Sequence, residues 1–98
     1  MTAPAVPHVK DMATTWEDFV RLLPVALDGW SYRIEGSEVV VGAPDRGVAI
    51  TVGPLPPRRF GLVEIARSRV VLAFRGLTAG EQASFLSQFD RAFQRGGG

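Results

Sequence analysis

Apolar residues recur with the period of a helix over residues 15–28. The stripe that would face a core consists of Trp16, Phe19, Val20, Leu23 and Leu27. Thr14 and Thr15 each precede an acidic residue by three positions, which is typical of a capped helix N-terminus. Pro24 has no amide hydrogen and crowds the preceding turn, so the pattern predicts two helical segments, residues 15–23 and 24–28, with a kink between them.

From residue 30 onward the period of the apolar positions changes to two. Trp30, Tyr32 and Ile34 alternate with polar residues, as in a strand with one buried side. The short polar turns EGSE and PDRG then precede the apolar runs VVVGA and VAITVG. Strands joined by such short turns must be antiparallel, because a parallel return needs a connection of a dozen or more residues. Residues 30–53 are therefore predicted to form a three-stranded meander.

Three prolines within residues 54–57 separate this meander from further alternating segments. Proline lacks a donor for a sheet ladder, so PLPPRR predicts an extended link. The segments FGLVEIA and RVVLAFRG predict a fourth and a fifth strand on either side of Arg67–Ser68. A helix over residues 60–68 is the alternative, although β-branched Val63 and Ile65 favour a strand. In the fifth strand the alternation points one set of residues inward, Val70, Leu72 and Phe74, and another outward, Val71 and Ala73.

The C-terminal residues predict a helix over 79–95. Thr78 and Glu81 have the spacing of a capping box. The apolar stripe that follows consists of Phe85, Leu86, Phe89, Ala92 and Phe93. Glycine commonly ends a helix, so residues 96–98 are predicted to be a flexible tail. The tails of small carrier proteins also end in glycines, but a strand leads into those tails, whereas a helix precedes them here.

The order of these elements, α-β-β-β-β-β-α, predicts an α+β fold. We expect a two-layer sandwich in which an antiparallel sheet of about five strands carries the N-terminal and the C-terminal helix on one face. Residues 1–13 contain two prolines and little periodicity, and they are predicted to be a flexible N-terminal tail. Residues 14–95 are then predicted to form one α+β domain, because their number lies in the usual size range of a single domain.

Few reactive side chains are available for chemistry. The chain contains no cysteine, and its one histidine, His8, lies in the predicted tail. Disulfides, thiolate nucleophiles, sulfur-ligated metals and Ser/His/Asp triads are thereby excluded. No pair of carboxylates converges by its position in the predicted elements. We therefore expect a protein that is not an enzyme and that binds no cofactor and no metal.

The formal net charge of +1 argues against a dedicated nucleic-acid binder. The charge is uneven, because residues 1–57 carry seven acids and four bases (net −3) and residues 58–98 carry three acids and seven bases (net +4). The N-terminus lacks the pattern of a secretory signal, and no apolar run approaches the ~20 residues of a membrane span. We expect a soluble cytoplasmic protein without a membrane partner.

The outward side of the sheet and the arginines of the C-terminal half are the candidate contact surfaces. The residues concerned are Arg58, Arg59, Arg67, Arg69, Arg75, Val71 and Ala73. Pairing of the fourth and fifth strands would place Arg58, Arg59 and Arg75 near one end and Arg67 and Arg69 near the other. The leading hypothesis is a non-enzymatic protein-interaction or assembly module that binds another protein or itself as a homodimer, through the open sheet face or edge.

The alternative hypothesis is a regulatory domain that binds a small molecule or an anion. The ligand would lie between the helices and the sheet, near Trp30 and Tyr32.

Overall fold

One antiparallel sheet and two helices make up residues 7–96, the part of the chain that the computed structural model describes. The elements are β1 (His8–Met12), α1 (Trp16–Ala26), β2 (Tyr32–Glu35), β3 (Glu38–Ala43), β4 (Arg46–Phe60), β5 (Val63–Arg75) and α2 (Ala79–Gly96). The strand order across the sheet is β1-β5-β4-β3-β2. The predicted α+β class, the five-stranded antiparallel sheet and the two helices are confirmed.

Both helices cover the same side of the sheet. The inward residues of the three central strands are fully or almost fully buried: Val39, Val41, Val48, Ile50, Val70, Leu72 and Phe74. Against them lies an aromatic cluster in which the ring of Phe93 is 5.1 Å from that of Phe19 and 4.7 Å from that of Phe89. The predicted apolar stripes of the two helices therefore meet in one core.

The helix N-termini have the caps that the sequence predicts. The Asp18 amide donates to Thr15 Oγ1 at 3.2 Å at the start of α1. At α2, the Thr78 amide donates to Glu81 Oε1 at 2.9 Å, and the Glu81 amide donates to Thr78 Oγ1 at 3.1 Å. This reciprocal pair is a capping box. The C-terminal end of α2 includes Gly96, one residue beyond the predicted limit, and residues 97–98 lie outside the described part.

The predicted break of the first helix at Pro24 is wrong, since α1 is one continuous helix. Pro24 lies two residues before the C-terminal end of α1, so its missing amide hydrogen removes only one bond close to the terminus. The amide of Leu27 still donates to the Leu23 carbonyl at 2.8 Å. The last turn is thereby retained, and the helix ends at Ala26 rather than at residue 28.

The predicted flexible tail over residues 1–13 is wrong for residues 8–12, which form β1, whereas residues 1–6 lie outside the described part. β1 pairs with β5 from His8 opposite Leu72 to Met12 opposite Ser68. Without β1, the backbone amide and carbonyl groups along this edge of β5 would have no strand to pair with, and β1 supplies the hydrogen-bonding partners. Lys10 fixes the strand to α2 through an ion pair with Asp90, in which Nζ and Oδ1 are 3.0 Å apart.

The predicted proline link and the predicted turn at Arg67–Ser68 are also wrong. β4 continues through the prolines to Phe60, and a register shift between Leu55 and Arg58 accommodates Pro56 and Pro57. The prolines are tolerated because β3 begins at Glu38, opposite Thr51, so that beyond Thr51 one edge of β4 has no neighbouring strand that needs its amide hydrogens. The turn falls instead at Gly61–Leu62, where Gly61 has a φ of 58° that favours glycine. Residues 60–68 therefore form no helix.

Replacement of Phe89 by alanine should lower the free energy of unfolding by ~3–5 kcal/mol. The side chain is 0% exposed and lies in the middle of the aromatic cluster, so truncation leaves a cavity. Urea denaturation monitored by circular dichroism measures the loss. Val25→Ala on the exposed side of α1 is the control and should change stability by no more than ~0.5 kcal/mol. Equal effects of the two variants would contradict the core assignment.

Candidate protein interface

Part of the β4–β5 pair extends beyond the rest of the sheet. Pairing of β1 with β5 ends at Ser68, and pairing of β3 with β4 ends at Thr51. In residues 54–67, here called the ribbon, β4 and β5 therefore pair with no further strand around the turn at Gly61–Leu62. The principal dimensions of the molecule are 51 × 27 × 26 Å, as expected when one element extends from a compact body.

Large apolar side chains of the ribbon are exposed to solvent. Phe60 lies opposite Val63 and Arg58 opposite Ile65, so these four residues share one side of the ribbon. Phe60 is 57% exposed, Val63 58% and Ile65 38%, and Leu62 in the turn is fully exposed. Apolar groups clustered in this way are typical of a surface that meets a partner.

The same side of β4 and β5 continues into the side of the sheet that faces away from the helices. The apolar and small residues of this outer face are Val9, Val40, Ala49, Thr51, Val71 and Ala73. Asp11, Arg67 and Arg69 lie on the same side, between these residues and the apolar end of the ribbon. The outward orientation predicted for Val71 and Ala73 is confirmed, and both are half-buried by their neighbours in the sheet. The ribbon and the outer face together form one strip. Bulky side chains lie at its ribbon end, and mostly small side chains lie at its opposite end, here called the sheet end.

Four of the five candidate arginines lie on or next to the ribbon. Arg59 forms an ion pair with Glu64, with Nε and Oε2 3.1 Å apart. Arg67 binds the carboxylate of Asp11 and also donates to the Pro56 carbonyl at 3.2 Å, which holds the base of the ribbon to β1. Arg58 and Arg69 form no ion pair with any residue of the described range 7–96.

The predicted division of the arginines between two ends is wrong, because it assumed a turn at Arg67–Ser68. With the turn at Gly61–Leu62, Arg58 and Arg59 lie on the same ribbon as Arg67. Arg75 lies at the opposite end of β5, and its guanidinium donates to the carbonyls of Val41 at 3.0 Å, Ala43 at 2.8 Å and Pro44 at 2.9 Å. These bonds give Arg75 a structural role at the β3–β4 turn.

The Arg67 guanidinium, which donates to the Asp11 carboxylate, lowers the pKa of Asp11 below its ordinary value of 3.8. The neighbouring charges of Arg58 and Arg69 act in the same direction. The same contact raises the pKa of Arg67. A salt bridge between exposed groups contributes little free energy, so its main effect is to orient the two side chains.

The proposed pocket near Trp30 and Tyr32 is only partly present. Trp30 lies in a shallow depression of about 430 Å³ together with residues of α2, and Tyr32 is not among its lining residues. The rings of Trp30 and Phe85 pack edge to face with 5.8 Å between their centroids, and the guanidinium of Arg46 lies 5.8 Å from the centre of the Trp30 ring. Much of the indole is thus already in contact with the protein.

A second depression, of about 530 Å³, lies at the base of the ribbon on the helix side. Trp16, Val52, Pro54 and Ala66 give it an apolar lining. Sequence reasoning selected neither this depression nor the apolar residues of the ribbon. The available signal was the glycine at position 61 between Phe60 and Leu62, which marks a hairpin turn with apolar flanks.

Residues 7–96 contain no cluster of three or more potential metal-ligating side chains. Within the same range, neither helix has the length and apolar character needed to cross a membrane. Comparisons of the chain with protein-family models, with curated proteins and with solved structures find no match. Inference about its function therefore rests on its own geometry.

Replacement of Arg75 by alanine should destabilise the fold by about 1–3 kcal/mol, because three carbonyl groups lose a charged donor. Arg58→Ala removes a charge without an ionic partner in the described range and should change stability by less than ~0.5 kcal/mol. Thermal and urea denaturation of the two variants provide the comparison. A larger effect of Arg58→Ala would contradict the roles assigned to these two arginines.

The Asp11–Arg67 contact should make stability depend on pH below about pH 4. A carboxyl group whose pKa is lower in the folded state stabilises the fold above its unfolded pKa, and this contribution disappears as the pH falls through the folded pKa. The Asp11→Asn variant should therefore lose less stability than the wild type on acidification. Urea denaturation at several pH values tests this, with Asp45→Asn in the distant β3–β4 turn as the control. Parallel pH curves for the wild type and Asp11→Asn would contradict it.

Proposed function

We propose that this protein is a non-enzymatic assembly module that binds another protein surface through the ribbon and the outer face. The observation that carries the proposal is the exposure of Phe60, Val63 and Ile65 on one side of a ribbon that pairs with no other strand. A cytoplasmic location is part of the proposal, as is the absence of catalysis.

Exposed apolar residues on a two-stranded ribbon have a physical consequence. An isolated pair of strands is marginally stable in water, whereas packing on a further surface stabilises it. Full burial of one large apolar side chain contributes roughly 1.5–3 kcal/mol. Contact of Phe60 and Ile65 with a partner would therefore supply binding free energy and fix the ribbon in one conformation.

The outer face fits the same role. An antiparallel sheet with one side in water normally alternates apolar and polar residues, with the polar residues outward. Here Val40, Val71 and Ala73 point outward, with Arg33 and Glu35 at the margin. Arg67 and Arg69 lie between these residues and the apolar end of the ribbon. Arginine is enriched at protein interfaces, so their position fits the same role.

The alternative, a small-molecule or anion-binding domain, receives less support. The Trp30 ring already contacts Phe85 and Arg46, and the depression beside it is shallow and open. Arg58 and Arg69 could attract an anion, but neither is buried or held by a neighbouring group of the described range. Ligand sites of high affinity are usually concave and largely preformed.

The proposal predicts that partner capture depends on the ribbon. The double variant Phe60→Ser/Ile65→Ser should lose at least ~10-fold in captured partner, since two apolar anchors are removed. Tagged protein incubated with lysate of the native host, followed by quantitative mass spectrometry, measures the capture. Val25→Ser, which alters a 62% exposed apolar residue on α1, is the matched control and should capture as the wild type does.

All three proteins should melt at similar temperatures, because the altered side chains are exposed. Equal capture by the wild type and the double variant, with self-association absent in both, would contradict the proposed function.

A further inference from the structure

We infer that the partner of this surface is a second copy of the same chain, with the two outer faces in contact and the strand directions opposed. The inference rests on the proposed function, since it uses the same ribbon and outer face. In this arrangement the ribbon of each copy lies over the sheet end of the other copy's outer face. The contact is isologous, so it closes as a dimer with two-fold symmetry.

The distribution of side-chain volume along the strip supports this arrangement. Phe60, Val63 and Ile65 project from the ribbon end. At the sheet end, the same side of β4 and β5 carries Ala49 and Ala73. Opposed strand directions place the bulky end of each copy on the small end of the other, which allows close packing. Ribbon-on-ribbon contact would instead bring bulky side chains together and leave the two sheets apart.

The charges of the strip support the same arrangement. Residues 54–67 contain three arginines and one glutamate, a net charge of +2. At the β2–β3 margin of the outer face, Glu35 and Glu38 lie opposite each other, and Glu38 forms no ion pair with another residue of the range 7–96. With Ile65 over Ala73, Arg58 of one copy lies over Ala49 of the second copy, one strand and one outward position away from Glu38 there. The two Arg69 side chains meet at the two-fold axis, where each has Asp11 as its neighbour in the ladder. Ribbon-on-ribbon contact would instead oppose the two basic segments.

The available area is sufficient for a stable contact. Five strands make a sheet about 24 Å wide, and its outer face is about 20 Å long from the Gly47–Arg75 pair to the Gly53–Arg69 pair. The ribbon adds a region about 17 Å long and about 10 Å wide. Together these give roughly 650 Å², within the ~600–1,000 Å² that each partner contributes to a stable interface.

A lipid bilayer is the other surface that an apolar hairpin with arginines could meet. A segment that inserts into a bilayer carries its apolar residues at the tip, with basic residues behind them. The tip of the ribbon has this pattern, since Phe60, Leu62 and Val63 are exposed and Arg58 and Arg59 lie behind them. Insertion of the tip up to these arginines would leave the outward residues Val71 and Ala73 uncovered. A second copy covers them as well, which favours a protein face.

Site-specific cross-linking tests the arrangement directly, because the chain contains no cysteine of its own. Two separately tagged variants, Ile65→Cys and Ala73→Cys, are mixed and oxidised. Disulfide formation between the two variants should exceed formation within either one, since opposed directions bring residue 65 of one copy to residue 73 of the other. Val25→Cys on the helix layer is the matched control and should remain unlinked. Preferential linkage of residue 65 to residue 65 would overturn the opposed arrangement.

Sedimentation equilibrium of the wild-type chain tests self-association itself. The wild type should be dimeric, and Phe60→Ser/Ile65→Ser should raise the dimer dissociation constant roughly 100-fold. Val25→Ser should leave the constant unchanged.

Charge exchange adds a test of register: Arg58→Glu and Glu38→Arg should each weaken the dimer, and their combination should restore it. Failure of the combined variant to recover would overturn the proposed placement of Arg58.

A wild-type chain that is monomeric at millimolar concentration would overturn the inference. If partner capture from lysate still depended on Phe60 and Ile65, the proposed function would stand and only the identity of the partner would be wrong. If neither self-association nor ribbon-dependent capture occurred, both would be wrong. Flotation of a monomeric chain with phosphatidylserine-containing vesicles, lost in the Phe60→Ser variant, would overturn the inference in favour of a bilayer.

Discussion

The antiparallel pairing of β4 with β5 is the interaction on which the other elements depend. It runs from Gly47 opposite Arg75 to Phe60 opposite Val63, and it is the longest ladder in the sheet. β1 adds to the free edge of β5, and β3 adds to the free edge of β4. The inward side of this pair receives both helices, and its distal part becomes the ribbon. A register shift of one residue would turn every side chain of one strand to the other face, so core and outer face are determined together.

The two sides of this ladder serve different purposes. On the inward side, the aromatic residues of α1 and α2 pack on buried valine, isoleucine and leucine residues, which stabilises the monomer. On the outward side, small residues near the sheet end are followed by Arg69 and Arg67 and then by bulky exposed residues at the ribbon end. The interior thus accounts for the stability of the fold. The outward side explains why we expect it to meet a second surface, since its exposed apolar area adds nothing to the monomer.

Local signals in the sequence were sufficient for the C-terminal helix, the start of the first helix and the meander, but not for the continuity of the first helix through Pro24. The capping box at Thr78 and Glu81, the helix start at Thr15 and the alternation of Val70, Leu72 and Phe74 each arise from neighbours within a few residues. The candidate residues Val71 and Ala73 were placed on the correct side for the same reason. Phe60 and Ile65 were not chosen as candidate contacts, because the proline-rich segment and the assumed turn at Arg67–Ser68 obscured the continuous hairpin.

The sequence by itself thus determined the fold class, the C-terminal helix, the start and buried stripe of the N-terminal helix, and the division of each central strand into an inward and an outward side. Those properties follow from side-chain periodicity and from capping, which act over short distances along the chain. Only the tertiary structure decided that residues 8–12 form an edge strand, that the prolines of β4 lie where no neighbour needs their amide hydrogens, and that four arginines gather around one ribbon. Each of these depends on which strand edges are already occupied, and strand pairing joins residues that are far apart in the sequence.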